Sequence, residues 1–487
     1  MLNGREVAGC FSSLPDFPTP PQAAATAMLS IGTLATVLTA IVSVVAHDYF
    51  PAESPEYNSK AINDMFAKLP SVRKAGEAFA LYDWDNTMMF GDISESSVWY
   101  QVSNLNFRFS PADFDKIFSL GYTADSKDEC FPVGLNSVAA SGKGQNVTLA
   151  DLIKLAKADY TNLYNAYIAP TYKLTTYSEP PSTAHAACGE NPLPGNLTLA
   201  QIQETTVFNN FAASFGSLVF YLENYGGADD FAKCAIRAGM TALPQMLVGM
   251  TKDEIHDLIR LSMRANLKAA ISTITYTHTD NAAVTVDMPK GLRIFNGQEA
   301  SLRAMRSQNM SVYIISASPQ EFVEIASTHS GLTYEVPSTN TYGVRFQYTA
   351  DGKFTGDLVD QTTYPITWGP GKAWVSENLL SPRHNGAKPV YASGDANGDC
   401  AMMHLVRDGV VMVNNRLKTS PNCIQSFYEL ACQYYGQVDP STNSMYIMQG
   451  QDKEMGSWIN SGWSTKNGKD YSSGATKSTC LAYKTFF

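Results

Sequence analysis

Apolar and polar positions change their spacing along the chain, and each spacing predicts an element. Phe79, Ala80, Leu81 and Tyr82 form an unbroken apolar run, which reads as a short buried strand. The stretches "TLADLIKLAKADYTNLYNAY" and "TKDEIHDLIRLSMRANL" carry apolar residues at helical spacing. Thr251, with Glu254 three residues on, has the capping-box pattern of a helix start. Helical spacing dominates from about Ser94 to Pro289, broken by the Pro-rich "YSEPPSTAHAACGENPLPGN". The regime changes near Gly291. "MSVYIISASPQEFVEIAS" and "KPVYASGDANGDCAMMHLVRD" each read strand, loop, helix, and "GVVMVNN" reads as a last short strand. "YGVRFQYTADGKFTGDLVD" alternates around Asp351-Gly352, a hairpin signal. Strands alternating with helices predict an α/β fold with a doubly wound, mostly parallel sheet. The organisation expected is a core of residues 47–93 plus 291–420, a mostly helical cap over 94–290, and a cysteine-bearing C-terminal extension over 421–487.

The first 46 residues read as a leader. An apolar, uncharged run begins at Met28 and ends in Val44-Val45-Ala46, a small-residue pattern suited to signal cleavage. Met28 is then a possible true start. A membrane anchor over 28–46 is the alternative, because the run approaches spanning length. With the leader cleaved, no stable membrane association is expected. Asn146, Asn196 and Asn309 head glycosylation sequons, which suit an exported chain. Removal of Cys10 with the leader leaves seven cysteines, an odd number, so at least one is expected free or paired between chains. Cys400 is the expected unpaired thiol, and Cys423 and Cys432 are close enough in sequence to close a small loop. No Cys-x-x-Cys pair occurs and the histidines are scattered, so the usual zinc spacing is absent.

Hydrophobic residues make up 44% of the chain and charged residues 16%, which places it among globular proteins. The formal net charge is −10 with no long basic block, so nucleic-acid binding has no electrostatic support.

The chemistry gathers where expected strands end, which is where parallel α/β sheets build their sites. Asp83 and Asp85 follow the first strand. Ser316, Lys372, Asp395 and Asp399 follow at later strand ends or between them. Two carboxylates so close resist burial unless a cation, a proton or a task compensates them. A divalent cation such as Mg²⁺ takes oxygen ligands of this kind. One carboxylate could attack phosphorus, and a second acid could protonate the leaving oxygen and later activate water. Ser316 and Lys372 could hold phosphoryl oxygens, and Ser318 competes with Ser316 for that contact.

These residues carry a resemblance. "FALYDWDNT", "VYIIS", Lys372 and "GDANGD" stand in the order of the motifs of the haloacid dehalogenase superfamily of phosphatases. The segment around Asp351-Gly352 resembles its phosphoserine phosphatase-like branch. The resemblance covers roughly 78–105 and 291–415. It implies Asp83 as nucleophile and metal ligand, and Asp85 as general acid/base that also ligates the metal. It implies Asp395 as a ligand, Asp399 supporting the metal site or its water, Thr87 orienting Asp85, and Ser316 and Lys372 binding phosphate. The cofactor implied is Mg²⁺ and the substrate a small-molecule phosphate ester. Within the branch the chain is similar to secreted enzymes that act on phosphorylcholine. Asp92 and Glu95 match acids there that could face a cationic group, with Trp99, Tyr100 and the tyrosines at 160, 164, 167, 172 and 177 as aromatic candidates. Phosphoserine or another small ester is the alternative substrate. A secreted binding protein without turnover is the alternative class.

Overall fold

The computed structural model describes residue 67 and residues 77–118, 147–168, 197–224, 239–328, 334–416, 423–434, 437–459, 462–466 and 469–471. The leader stretch, the sequons at Asn146 and Asn196, Tyr172, Tyr177, the Pro-rich stretch, Cys130, Cys188, Cys234 and Cys480 lie outside the described residues.

The chain enters through strand β1 (Phe79–Tyr82), all four residues of which are fully buried. Phe79 and Leu81 face one hydrophobic cluster, Ala80 and Tyr82 the other, so the apolar run reflects burial on both faces. Burying Phe79, Leu81 and Tyr82 contributes roughly 1.5–3 kcal/mol per side chain. A turn leads to β2 (Met89–Phe90) and then helix α1 (Ile93–Ser103).

The cap follows, built on α2 (Leu149–Leu163), α3 (Thr206–Asn224) and α4 (Lys252–Lys268). It has a hydrophobic cluster of its own, dense in rings: Phe211 stacks on Phe215 at 5.1 Å and Tyr160 tilts against Phe109 at 4.9 Å. The Tyr160 hydroxyl donates to the Phe109 carbonyl at 2.7 Å, which places this tyrosine in the cap core. The capping box at Thr251 and Glu254 opens α4 with both reciprocal hydrogen bonds formed. The cap is not helical throughout: β3 (Ser272–Thr277) and β4 (Thr285–Lys290) form an antiparallel hairpin. Only β4 turns large apolar residues inward, Val286 and Met288, while β3 is exposed or half-exposed along its length. Ile274 and Tyr276 alternate with threonines on β3 but are only half-buried, so full burial is confined to half of the pair.

After β5 (Arg293–Ile294), which pairs with β2, the core resumes with α5 (Asn296–Ser307) and β6 (Ser311–Pro319). Asn309, the remaining described sequon asparagine, is exposed in a left-handed turn before β6. Helix α6 (Gln320–Thr328) leads to β7 (Thr341–Val344). The hairpin at Asp351-Gly352 joins β8 (Phe346–Tyr348) to β9 (Phe354–Leu358). Then come α7 (Pro370–Val375), β10 (Tyr391–Gly394), α8 (Cys400–Met403), β11 (Val410–Asn414), α9 (Cys423–Gln433) and β12 (Met445–Gln449). The main sheet has the order β12-β11-β10-β1-β6-β7, all pairs parallel. The fold is thus the doubly wound α/β type, with β1 central and the chain winding out to β7 before returning to β10.

Three expectations are corrected here. The C-terminal extension is not separate from the core sheet, because β12 pairs with β11 and all five of its residues are buried. Cys400 is not a free thiol: it is disulfide-bonded to Cys423, with the two Cα atoms 6.2 Å apart. Cys423 and Cys432 do not close a loop with each other, since both lie on α9, where nine residues of helix separate them by roughly 13 Å along the axis. Cys432 is itself disulfide-bonded. Among the described residues, no helix is long and apolar enough to cross a membrane.

Candidate active site

The carboxyl end of β1 turns sharply. The Asp83 amide donates to the Ser393 carbonyl at 3.0 Å, which ties the residue to β10. The amides of Thr87 and Met88 donate back to the Trp84 carbonyl at 3.3 and 2.8 Å, and Asn86 adopts a left-handed φ of 55°. Trp84 is fully buried, its ring 5.7 Å from that of Tyr334 in an edge contact. Anchored there, the turn sends both Asp83 and Asp85 into a cavity of about 250 Å³ above the sheet. Asp85 is held on both oxygens: Oδ1 accepts from the Ile93 amide at 2.7 Å, and Oδ2 accepts from Ser318 Oγ at 2.7 Å.

The opposite wall comes from β10 and α7. In the "GDANGD" loop, Asp399 Oδ2 accepts from the amides of Asp395 and Ala396, each at 2.9 Å, which curls the loop onto its own side chain. Helix α7 starts at Gly369-Pro370, and a Cβ on Gly371 would stand 1.7 Å from the Ile366 carbonyl oxygen. Only glycine fits there, and the close approach brings Lys372 inside. Lys372 Nζ donates to Asp83 Oδ1 and, at 2.7 Å, to Asp399 Oδ1. Asp395 accepts from Thr87 Oγ1 and from Arg416 Nη1, both at 3.2 Å.

The cavity holds six carboxylates, Asp83, Asp85, Asp92, Glu223, Asp395 and Asp399, against two cations, Lys372 and Arg416. Burial, and next Asp399, push the Asp83 carboxyl well above its usual range, with Lys372 opposing. Burial, and next Asp92, push Asp85 up as well, with the Ile93 and Ser318 hydrogen bonds opposing. Burial works against the Lys372 charge, but Asp399 and Asp83 outweigh it and raise the ammonium above its ordinary value. Burial likewise opposes the Arg416 charge, and Asp395, Glu95 and Asp92 raise it. Asp83, Asp395 and Asp399 each offer an oxygen within 4.8 Å of the others'. An all-oxygen, net-negative donor set of this kind fits a hard divalent cation.

The strand-end residues expected from the sequence therefore fall into two groups. Asp83, Asp85, Lys372, Asp395 and Asp399 converge on one cavity. Ser316 is fully buried beneath it and does not line it; its Oγ accepts from the Ser318 amide at 3.0 Å and donates to Asp85 Oδ2 at 3.5 Å, and Ser318 is the serine on the wall. Thr87 was expected to orient Asp85, but its hydroxyl reaches Asp395 instead, because the turn at Asn86 sends Asp85 towards the start of α1. Asp92 both caps α1, accepting from the Ser94 and Glu95 amides at 2.8 and 3.0 Å, and lines the cavity. Glu95, Trp99 and Tyr100 do not line it. Two charged lining residues escaped sequence reading. Arg416 follows β11, so the strand-end rule that located the aspartates applies to it equally. Glu223, near the C-terminal end of cap helix α3, carries no sequence signal.

No family model matches the chain, and no curated protein matches it. Among solved structures, a conserved protein of unknown function from Anaerococcus prevotii is similar at a TM-score of 0.67 and 18% identity. The match covers 87% of this chain and 100% of that one. At that identity the likeness is one of fold. A hydrolase of the haloacid dehalogenase family from Salmonella enterica serovar Typhi matches at a TM-score of 0.27 and 15% identity. It covers 43% of this chain and 57% of its own, and so low a score carries no argument.

Proposed function

We propose that the protein is an exported, divalent-cation-dependent phosphomonoesterase of the haloacid dehalogenase type. The observation that carries this reading is the convergence of Asp83, Asp85, Lys372, Asp395 and Asp399 on one cavity at the carboxyl edge of a parallel sheet. Asp83, Asp395 and Asp399, with Asp85 beside them, would hold Mg²⁺. When bound, the ion would supply positive charge to the phosphoryl oxygens and offset the repulsion among these acids.

In the first half-reaction a carboxylate oxygen of Asp83 attacks phosphorus and the bond from phosphorus to the ester oxygen breaks. Asp85, protonated because burial raises its pKa, gives its proton to the departing oxygen. In the second half, Asp85 takes a proton from water, the water oxygen attacks phosphorus, and Asp83 is released as carboxylate. Lys372 holds Asp83 and Asp399 in place and would neutralise charge on the phosphoryl group. Ser318, on the wall and bonded to Asp85, is the serine placed to contact the substrate. The cap contributes Met240, Leu243 and Pro244 to the cavity wall and would exclude water during the first step. Asp92 on the wall supports a small ester with a cationic end, of which phosphorylcholine is the example. The leader-like run, the Cys400–Cys423 disulfide and the disulfide-bonded state of Cys432 support export.

The test is phosphate release from phosphorylcholine, phosphoserine and p-nitrophenyl phosphate, with Mg²⁺ and with a chelator. Cation-dependent release is expected. A folded, Mg²⁺-supplied protein that releases phosphate from none of them overturns the reading in favour of a binding protein.

A further inference from the structure

The chemistry above leaves one cavity residue without a task. Glu223 reaches the site from the cap, near the end of α3, and is mostly buried. Its Oε2 is closed off from solvent and has no hydrogen-bond partner among the described residues. The other acids of the cavity are compensated. Asp83 and Asp399 share Lys372, Asp395 has Arg416 and Thr87, Asp85 has Ile93 and Ser318, and Asp92 has two amides of α1. A buried carboxyl oxygen without a partner is costly. Burial pushes the Glu223 carboxyl well up, Glu95 and Asp92 add to the shift, and Arg416 opposes it. The described lining of the cavity is short of positive charge, with six acids against Lys372 and Arg416. A phosphoryl dianion on the floor would deepen that shortage. Beside Glu223 the cap wall is apolar, made by Met240, Leu243 and Pro244. A carboxylate next to an apolar wall suits a group that is both cationic and greasy.

We propose that Glu223 is the specificity-determining residue for an organic ammonium, taking the cationic end of the substrate against the wall of Met240, Leu243 and Pro244. The assignment deepens the phosphatase reading, on which it rests for the phosphoryl end. The ammonium gives the Glu223 carboxyl the partner it lacks and displaces its proton, and the alkyl carbons meet the apolar wall. A neutral polyol ester could hydrogen-bond to the same side chain but would leave the charge shortage in place.

Glu223→Gln separates the two, because the amide keeps the size and the hydrogen bonding and removes the charge. Two readouts are needed on the full chain. The first is kcat/KM for phosphorylcholine beside p-nitrophenyl phosphate. The second is calorimetric binding of choline beside its neutral isostere 3,3-dimethyl-1-butanol. For Glu223→Gln, kcat/KM for phosphorylcholine and affinity for choline are each expected to fall about 10- to 100-fold. Turnover of p-nitrophenyl phosphate is expected to stay within about 2-fold. Equal losses on both esters, no loss on either, or equal binding of choline and the isostere would overturn the proposal. Glu223-dependent choline binding by a protein that hydrolyses no ester would sink the phosphatase reading and leave the ammonium site standing.

Discussion

Lys372 is the residue on which the charge balance of the site turns, and Lys372→Met perturbs it with little change in length. The lysine is 1% exposed and its ammonium bonds to two buried carboxylates, Asp83 and Asp399. Removing one partner from a buried ion pair leaves an uncompensated charge, at a cost of roughly 3–5 kcal/mol. Here two carboxylates lose their cation together, so the upper part of that range is expected. Denaturant unfolding in the absence of divalent cations would read it as a lower midpoint at unchanged slope. Asp83→Asn in the same chain removes one of the two stranded charges. The double variant should therefore regain about 1–3 kcal/mol relative to Lys372→Met alone. In the phosphatase assay, loss of one charged donor to the phosphoryl group should lower kcat by about 10²- to 10³-fold. The reasoning is refuted if Lys372→Met unfolds within about 0.5 kcal/mol of the parent chain, the range of an ordinary solvated surface substitution.

Asp85→Asn should lower kcat by about 10²- to 10⁴-fold. It should also abolish the fall in rate on the alkaline side, since the raised pKa of Asp85 keeps it protonated until the pH climbs through that value. A rate profile recorded across pH checks both. The Cys400→Ser/Cys423→Ser variant loses a cross-link spanning 23 residues, for which chain entropy gives about 3 kcal/mol; a denaturant midpoint equal to the parent's would contradict the linkage. Burial, with Lys252 adding and Glu324 opposing, pushes His256 down to about 4. The unfolded chain takes up that proton near the ordinary value of about 6.5. The folded chain therefore loses stability as pH falls from 6.5 towards 4 and is unaffected by this group above that window. Melting temperatures of His256→Gln across that window should fall less steeply than those of the parent.

Much of the core was legible in the sequence because it is buried on both faces. Phe79–Tyr82 and residues 410–413 are buried on both faces, and an unbroken apolar run is what that looks like in the chain. The strand Met445–Gln449 has the same character but lies far beyond the motif-bearing strands, where nothing nearby marks it as part of the sheet. The cap hairpin escaped because its outer strand, Ser272–Thr277, carries only two alternating apolar residues, Ile274 and Tyr276, beside a long helical pattern. In the site, aspartates at strand ends were visible because a topological rule says where to look. Ser316 and Ser318 stand two residues apart and only the backbone path near Pro319 decides which of them meets the cavity. Glu223 could not be read at all, since a cap helix reaches the site by packing, which spacing along the helix does not encode. The disulfide from Cys400 to Cys423 depends in the same way on how α8 and α9 meet.

The covalent step at Asp83 is the most direct point of attack. The full chain, supplied with Mg²⁺ and p-nitrophenyl phosphate, would be quenched in acid during turnover and its peptides examined by mass spectrometry. A phosphoryl group on the peptide carrying Asp83 is expected, accumulating further in Asp85→Asn, where water is no longer deprotonated for the second half-reaction. Turnover with no phosphoryl group on the protein, or with the group on Ser318 instead of Asp83, would contradict the assigned nucleophile.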